Sequence, residues 1–202
     1  MNYFVTGIDT DSGKTLASAI LCEALEADYW KPVQAGAPKD SDTVRSLISN
    51  QRSVIHPEAF FLTMPASPHA AARIDGIEIV VSKFSKPRTT NNMIIEGAGG
   101  CLVPLNDNEF VIDLATHLEA QIILVADLYL GSINHTLLTW RELQSRKLYV
   151  KGIIFNGPSN PESERIILHH TGLDCLLRIS REEKIDKHIV SKYAGLIKET
   201  WK

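Results

Sequence analysis

The stretch Gly7-Ile8-Asp9-Thr10-Asp11-Ser12-Gly13-Lys14-Thr15 lies between a short β-rich run, Tyr3-Phe4-Val5-Thr6, and a helical pattern over residues 14–27. A second apolar run follows at residues 29–33. Strand, helix and strand in close succession are the sequence form of a βαβ unit, in which parallel strands are joined by a helical crossover. Further along, Met93-Ile94-Ile95 and residues 122–126 and 152–155 are short, apolar and bounded by polar residues or glycine. Strands buried on both faces read in this way. Helical patterns cover residues 110–118, 134–146 and 187–201, and no repeat or low-complexity tract interrupts them. The expected architecture is therefore α/β: one domain over residues 1–202, with three layers and a central, mostly parallel sheet flanked by helices. Residues 36–42 and 63–69, which carry Pro38, Pro65 and Pro68, read as loops. Loops at the C-terminal ends of parallel strands carry ligands in such sheets, so function is expected there.

Composition narrows the partners. With 202 residues, 44% of them hydrophobic, the chain can bury a sizeable core without disulfides. The 21 basic and 24 acidic side chains give a formal net charge of -3 without a basic block. Nucleic acid and anionic membranes are not expected as main partners, because those affinities rest on clustered Lys and Arg. Cys22, Cys101 and Cys175 are widely spaced and form no C-x-x-C pair, which fits a reducing cytoplasm. The longest apolar run, residues 122–126, is far below the ~20 residues of a spanning helix. The N-terminus has no basic segment followed by an apolar stretch, so no signal peptide is expected.

The opening nonapeptide resembles a Walker A loop of the P-loop NTPase fold. In such a loop backbone N–H groups and a helix N-terminus cradle phosphates, the lysine reaches the β and γ phosphates, and the following hydroxyl ligates magnesium. Lys14 and Thr15 take those roles here. Five residues rather than four separate Gly7 from Gly13, a departure from the standard spacing. Asp9 and Asp11 are unusual so near a triphosphate, where like charges repel, and a bridging magnesium or a cationic substrate would relieve that repulsion.

Three further groups belong to the same rim. Glu96-Gly97-Ala98-Gly99-Gly100 leaves the strand that starts at Met93, placing a carboxylate where a magnesium ligand belongs and glycines where backbone approaches a nucleotide. Asp127, after residues 122–126, is a rival for the metal, and the pattern alone does not separate the two. Lys31, in Lys31-Pro32-Val33-Gln34-Ala35-Gly36, closes the second strand beside Lys14. An ammonium there would stabilise charge developing on a transferred phosphoryl group. In Asp40-Ser41-Asp42, either aspartate serves the metal or caps a helix beginning near Thr43.

Taken together with Ala66-Ser67-Pro68-His69 and Gly131-Ser132-Ile133-Asn134-His135, these blocks resemble, in content and order, the dethiobiotin synthetases. The resemblance runs from residue 7 to about residue 135 and on to Asn156. It implies an ATP- and magnesium-dependent closure of the ureido ring of dethiobiotin from 7,8-diaminononanoate and CO2. The route runs through a carbamate and a carbamic-phosphoric anhydride, as the penultimate step of biotin synthesis. By the family's pattern Asp11, Ser12, Gly13, Lys14, Thr15 and Leu16 hold the nucleotide, with Gly97, Ala98 and Gly99 beside it and Asn156 and Gly157 near the base. Thr15, Asp42 and Glu96 surround magnesium. Lys31, Lys14 and Thr10 are catalytic, and Thr10 and Ala35 line the diamine site.

In the same pattern Ser132, Ile133 and Asn134 form a helix N-terminus that receives the substrate carboxylate. Asp11 replaces a glutamate common in the family, and Ala35 stands where the family usually has Ser or Thr, leaving backbone to meet the substrate. The family forms homodimers with substrate across the interface. Tyr129, Trp140 and Tyr149 are either contact residues there or buried core, and burial is the expectation for each. His135 is expected to be structural, packed in a first helical turn with one hydrogen bond. Partitioning ATPases carry an extra lysine four positions before the glycine of Gly-Lys-Thr. Here that position is Asp9, which counts against a nucleotide-switch reading. A cobyrinic acid diamide synthase would need a glutaminase domain, for which there is no room.

Overall fold

The computed structural model describes residues 1–201. Its main sheet has six parallel strands in the order β2-β5-β1-β6-β7-β8. They are β1 (Asn2–Gly7), β2 (Asp28–Trp30), β5 (Met93–Gly100), β6 (Gln121–Asp127), β7 (Val150–Asn156) and β8 (Cys175–Ile179). β1 lies between β5 and β6, so the chain leaves its C-terminal end where the strand order reverses. Crevices open at such a switch point.

The strands are apolar throughout because helices cover both faces, but the two-residue alternation still sorts them into two cores. Tyr3, Val5, Tyr29, Ile94, Ile123, Val125 and Ile154 pack on one side with residues of α1 (Lys14–Leu25) and α7 (Lys187–Thr200). Phe4, Trp30, Ile95, Ile122, Leu124 and Phe155 pack on the other, with residues of α4 (Asp113–His117), α5 (Ser132–Ser145) and α6 (Pro161–Thr171). Between sheet and α7, α1 is buried around Ala17, Ser18 and Ala19, small side chains that allow close approach.

The structure redraws several expected boundaries. The run at residues 29–33 is not one strand: it breaks at Lys31-Pro32 into β2 and β3 (Val33–Ala35). Proline lacks the N–H that would continue the ladder, and β3 swings away to pair in parallel with β4 (Phe60–Leu62) in a separate two-stranded sheet. The helix expected near Thr43 begins earlier, as α2 (Asp40–Leu47). The pattern at residues 110–118 shortens to α4, because Phe110 bridges to Pro104 and its N–H bonds to Asp113 Oδ2 at 2.7 Å. A helix, α3 (Pro68–Asp75), starts inside the loop expected at 63–69, with proline in its first turn.

Like α3 and β4, α6 and β8 were not anticipated. The start of α6 carried a readable signal, since the Asn160 side chain accepts from the Ser163 N–H at 3.1 Å and Pro161 occupies the first turn. All three cysteines are free thiols. Among the described residues no helix is long and apolar enough to cross a membrane.

Asp28, 1% exposed at the start of β2, ties the sheet edge together. Its carboxylate accepts from the Val54 N–H at 3.0 Å and Asn91 Nδ2 at 2.9 Å, and meets His56 Nε2 at 2.9 Å. Burial works to raise its pKa, but the hydrogen bonds from Asn91 and Val54 outweigh burial and lower it. A carboxyl with a depressed folded pKa stabilises the fold above its unfolded value, ~3.9, and loses that contribution as pH falls through the folded one. Asp28→Asn is expected to destabilise by about 1–3 kcal/mol at pH 7 in denaturant titration. The gap to wild type should narrow below about pH 4; a gap independent of pH would contradict the assignment.

Candidate active site

The break after Trp30 creates the site. Tyr29, Lys31, Ile94 and Glu96 share one parity, so Lys31 emerges beside Glu96 on the α1 side of the sheet, where β2 has just ended against β5. Glu96 is 1% exposed and accepts three hydrogen bonds. Thr15 Oγ1 and Lys31 Nζ reach its Oε1 at 2.9 and 3.0 Å, and the Tyr29 hydroxyl reaches Oε2 at 3.0 Å. Lys31 also donates to the Gly97 carbonyl at 3.2 Å and pairs with Asp40 Oδ2 at 2.5 Å. Burial alone would lower the Lys31 pKa, but Glu96 and Asp40 outweigh it, so the ammonium is held charged. Burial and Glu96 raise the Tyr29 phenol, which stays a donor.

The phosphate loop wraps α1's N-terminus. Gly13 has φ 93°, and a Cβ there would lie 2.3 Å from Asn156 Nδ2, so both the turn and the close approach of β7 require glycine. Asn156 Nδ2 donates to the Ser12 carbonyl at 3.1 Å, pinning the loop to β7. No side chain caps α1 and its first turn holds no acid, so its leading N–H groups face outward as anion donors. Lys14 Nζ spans the loop, donating to the carbonyls of Asp9 and Thr10 at 2.8 and 2.7 Å. Burial brings its pKa down to about 8 despite the opposing pull of Glu96.

These groups open into one cleft of about 530 Å³. Thr10, Asp11, Lys14 and Thr15 line one wall, Lys31, Ala35, Asp40 and Glu96 the floor, and Pro65 to Pro68 with Ala98 and Gly99 the remainder. Ser12 is fully buried within the loop, and Gly13, Leu16, Gly97, Asn156 and Gly157 are not part of the cleft lining. Asp42 does not join the other expected metal ligands. It is exposed, bonded to Arg45 at 2.6 Å, and absent from the cleft, whereas Asp40, two residues earlier at the start of α2, lines it. Gln34 explains why: its Oε1 accepts the Asp40 N–H at 3.2 Å, fixing where α2 begins. Gln34, like Tyr29, escaped the sequence reading because an uncharged side chain in a short strand carries no motif.

The other metal candidate, Asp127, has an unpartnered buried Oδ1 and a pKa raised by burial and by Asp9. It is not part of the cleft lining. Ser132, Ile133 and Asn134 begin α5 and also lie outside that lining. Gly131 supplies no side-chain cap, Ser132 Oγ is buried without a partner, and the Ser132 N–H donates to the Tyr129 carbonyl at 3.0 Å. Tyr129 and Tyr149 are exposed rather than core, while Trp140 packs partly buried against the second core. His135 is exposed and shares one hydrogen bond with the Tyr129 hydroxyl.

A family model described as AAA domain matches residues 1–188. An ATP-dependent dethiobiotin synthetase of Cytophaga hutchinsonii is 60% identical over 201 residues, covering 98% of each chain. That of Christiangramia forsetii is 47% identical, covering 96% of this chain and 94% of its own. The chain belongs to the dethiobiotin synthetase family. A third synthetase, from Chlamydia pneumoniae, is 43% identical over 98% of this chain and 89% of its own. Among solved structures, a plasmid partition protein of Borrelia burgdorferi B31 bound to AMPPNP matches with a TM-score of 0.59 at 12% identity, covering 98% of this chain and 96% of that one. The septum site-determining protein MinD of Pyrococcus horikoshii OT3, complexed with Mg-ADP, matches at 0.57 and 13%, covering 100% and 97%. The chain thus shares its fold, a mostly parallel sheet flanked by helices, with these two proteins.

Gly13→Ala tests the loop geometry. It places a methyl against Asn156 and a side chain at positive φ, and is expected to weaken ADP binding at least about tenfold in calorimetry, a loss of about 1.4 kcal/mol. Adding Asn156→Ala should recover little, because the backbone strain remains; full recovery would show that only the clash mattered.

Proposed function

We propose that this cleft closes the ureido ring of dethiobiotin, using ATP, CO2 and 7,8-diaminononanoate. The observation that carries the reading is Lys31, a buried ammonium fixed between two carboxylates at the rim of a phosphate loop. One amine of the diamine bonds to CO2 and loses a proton, giving a carbamate. A carbamate oxygen then takes the γ-phosphoryl of ATP and ADP leaves. The second amine attacks the carbonyl carbon, the C–O bond to phosphate breaks, and a proton is lost as the ring closes. Lys31 offsets negative charge on the carbamate and on the phosphoryl in transit, a stabilisation greatest in the transition state. Lys14 and the first N–H groups of α1 hold the phosphates, while Thr10 and the backbone at Ala35 shape the diamine's wall.

The residues present fit magnesium: Thr15 Oγ1, Glu96 and Asp40 gather hard oxygen donors at one rim, and Mg2+ ordinarily takes one or two carboxylates plus substrate phosphates. When bound it neutralises charge on the β and γ phosphates. Asp40 is the second carboxylate in place of Asp42. Asn156 and Gly157 face the base. The carboxylate clamp of Ser132 to Asn134 is outside the chain's own cleft, which supports a homodimer in which a second copy supplies it. The fully exposed Leu130 and exposed Tyr129 beside that clamp fit a contact surface. The whole chain, residues 1–202, works as one nucleotide-binding unit in the cytoplasm, in keeping with its free thiols.

Two tests follow. With magnesium, ATP and bicarbonate, ADP and dethiobiotin should appear together, and only when 7,8-diaminononanoate is added; ATP turnover indifferent to the diamine would contradict the reading. In the same assay Lys31→Ala should lower kcat by at least about 10³, with ATP binding changed by no more than a few-fold. In the second test Asp40→Asn should raise the magnesium concentration for half-maximal rate at least about fivefold, as expected when one of few protein ligands is lost. Asp42→Asn should leave it unchanged, and the reverse pattern would return the metal to Asp42.

A further inference from the structure

We propose that Tyr29 is a positioning residue for this reaction, holding Glu96 so that its other oxygen directs Lys31 and Thr15 at the cleft. The inference rests on the ring-closing function. Tyr29 is 0% exposed and is not part of the cleft lining, so it touches neither the nucleotide nor the diamine. Its ring packs in the α1-side core with Val5, Ile20 and Ile94, and its backbone is fixed in the ladder opposite Ile94. From there the hydroxyl reaches forward along the sheet to Glu96 Oε2 at 3.0 Å. The carboxylate is thereby divided: Oε2 belongs to the phenol, and Oε1 is left to Lys31 at 3.0 Å and Thr15 at 2.9 Å.

The division matters because the terminal torsion of glutamate is broad and nearly two-fold. Without the phenol, Oε2 would be a buried carboxylate oxygen lacking its donor, and the cheapest remedy is rotation toward Lys31. A glutamate turned in that way engages the lysine with both oxygens and draws its ammonium back from the cleft. It also leaves Thr15 Oγ1 without its partner. Both changes fall on phosphoryl transfer and metal binding, and neither falls on the diamine's wall.

Tyr29→Phe removes only the hydroxyl and keeps the ring. In the assay mixture of magnesium, ATP, bicarbonate and 7,8-diaminononanoate, kcat should fall about tenfold, with the KM values for ATP and diamine within about twofold. ADP binding by calorimetry should be unchanged without magnesium and weakened about fivefold with it. Tyr3→Phe, which trims a tyrosine of the same core that neither lines the cleft nor bonds Glu96, should alter none of these. In a Glu96→Gln background Tyr29→Phe should add little, because the tyrosine acts through that carboxylate.

A Tyr29→Phe enzyme with kcat and magnesium response within twofold of wild type would overturn the proposal. So would additive effects in the Glu96→Gln background, or a loss of ADP binding without magnesium, which marks a merely structural residue. If wild type makes no dethiobiotin, the ring-closing reading fails, and the calorimetric arm still decides for or against Tyr29.

Discussion

A buried ammonium sets the terms for this molecule. Lys31 is 4% exposed, and a cation in that position is tolerable only if paired and hydrogen-bonded. The protein meets the requirement with Glu96 and the Gly97 carbonyl from β5 and Asp40 from α2, two segments that must converge on one nitrogen. Removing either carboxylate would leave the rest costly, as in any buried ion pair that loses a partner. The end of β2, β5 and α2 are thus fixed relative to one another by the same nitrogen to which the proposed chemistry is assigned.

How those segments converge follows from a strand that stops. β2 contributes only Asp28 to Trp30 to the main sheet, and Pro32 ends the ladder. Had the strand run on, β5 would be covered at Glu96 and no cleft could open between it and the phosphate loop. Instead β3 peels off to β4, and the gap between the two sheets becomes the floor on which Lys31 sits. The parity that places Tyr29 in the core places Lys31 two residues later at the edge of that gap, so one alternation supplies both the anchor and the charge.

Much of this could be read from residue types because the decisive signals were local. Gly13-Lys14-Thr15, Glu96 after three apolar residues, and Lys31 before proline each carry their meaning within a few positions. What escaped depends on distances along the chain that no short pattern encodes. Asp40 and Asp42 are equivalent as sequence, and only the hydrogen bond from Asp40's backbone to Gln34 decides which enters the cleft. Tyr29 looked like any core aromatic, since its polar atom acquires meaning only from a glutamate 67 residues away. The opposite error, expecting Tyr129 and Tyr149 to be core, came from treating aromatic character as a proxy for burial.

The two lysines of the cleft illustrate how partner chemistry divides labour between identical side chains. Lys14 lies among neutral carbonyl oxygens of its own loop, and burial lowers its pKa to about 8. Lys31 is buried as deeply yet shifts upward, because its partners are carboxylates. A phosphate arriving at Lys14 brings the negative charge that this ammonium lacks, so binding there is driven by the ligand's own charge. Lys31 is already compensated and gains little from an anion in the ground state. Its worth grows only as charge accumulates on a transferring group close enough to compete with Glu96 and Asp40. On the proposed reading, that is the difference between a residue that binds a nucleotide and one that lowers the barrier to using it.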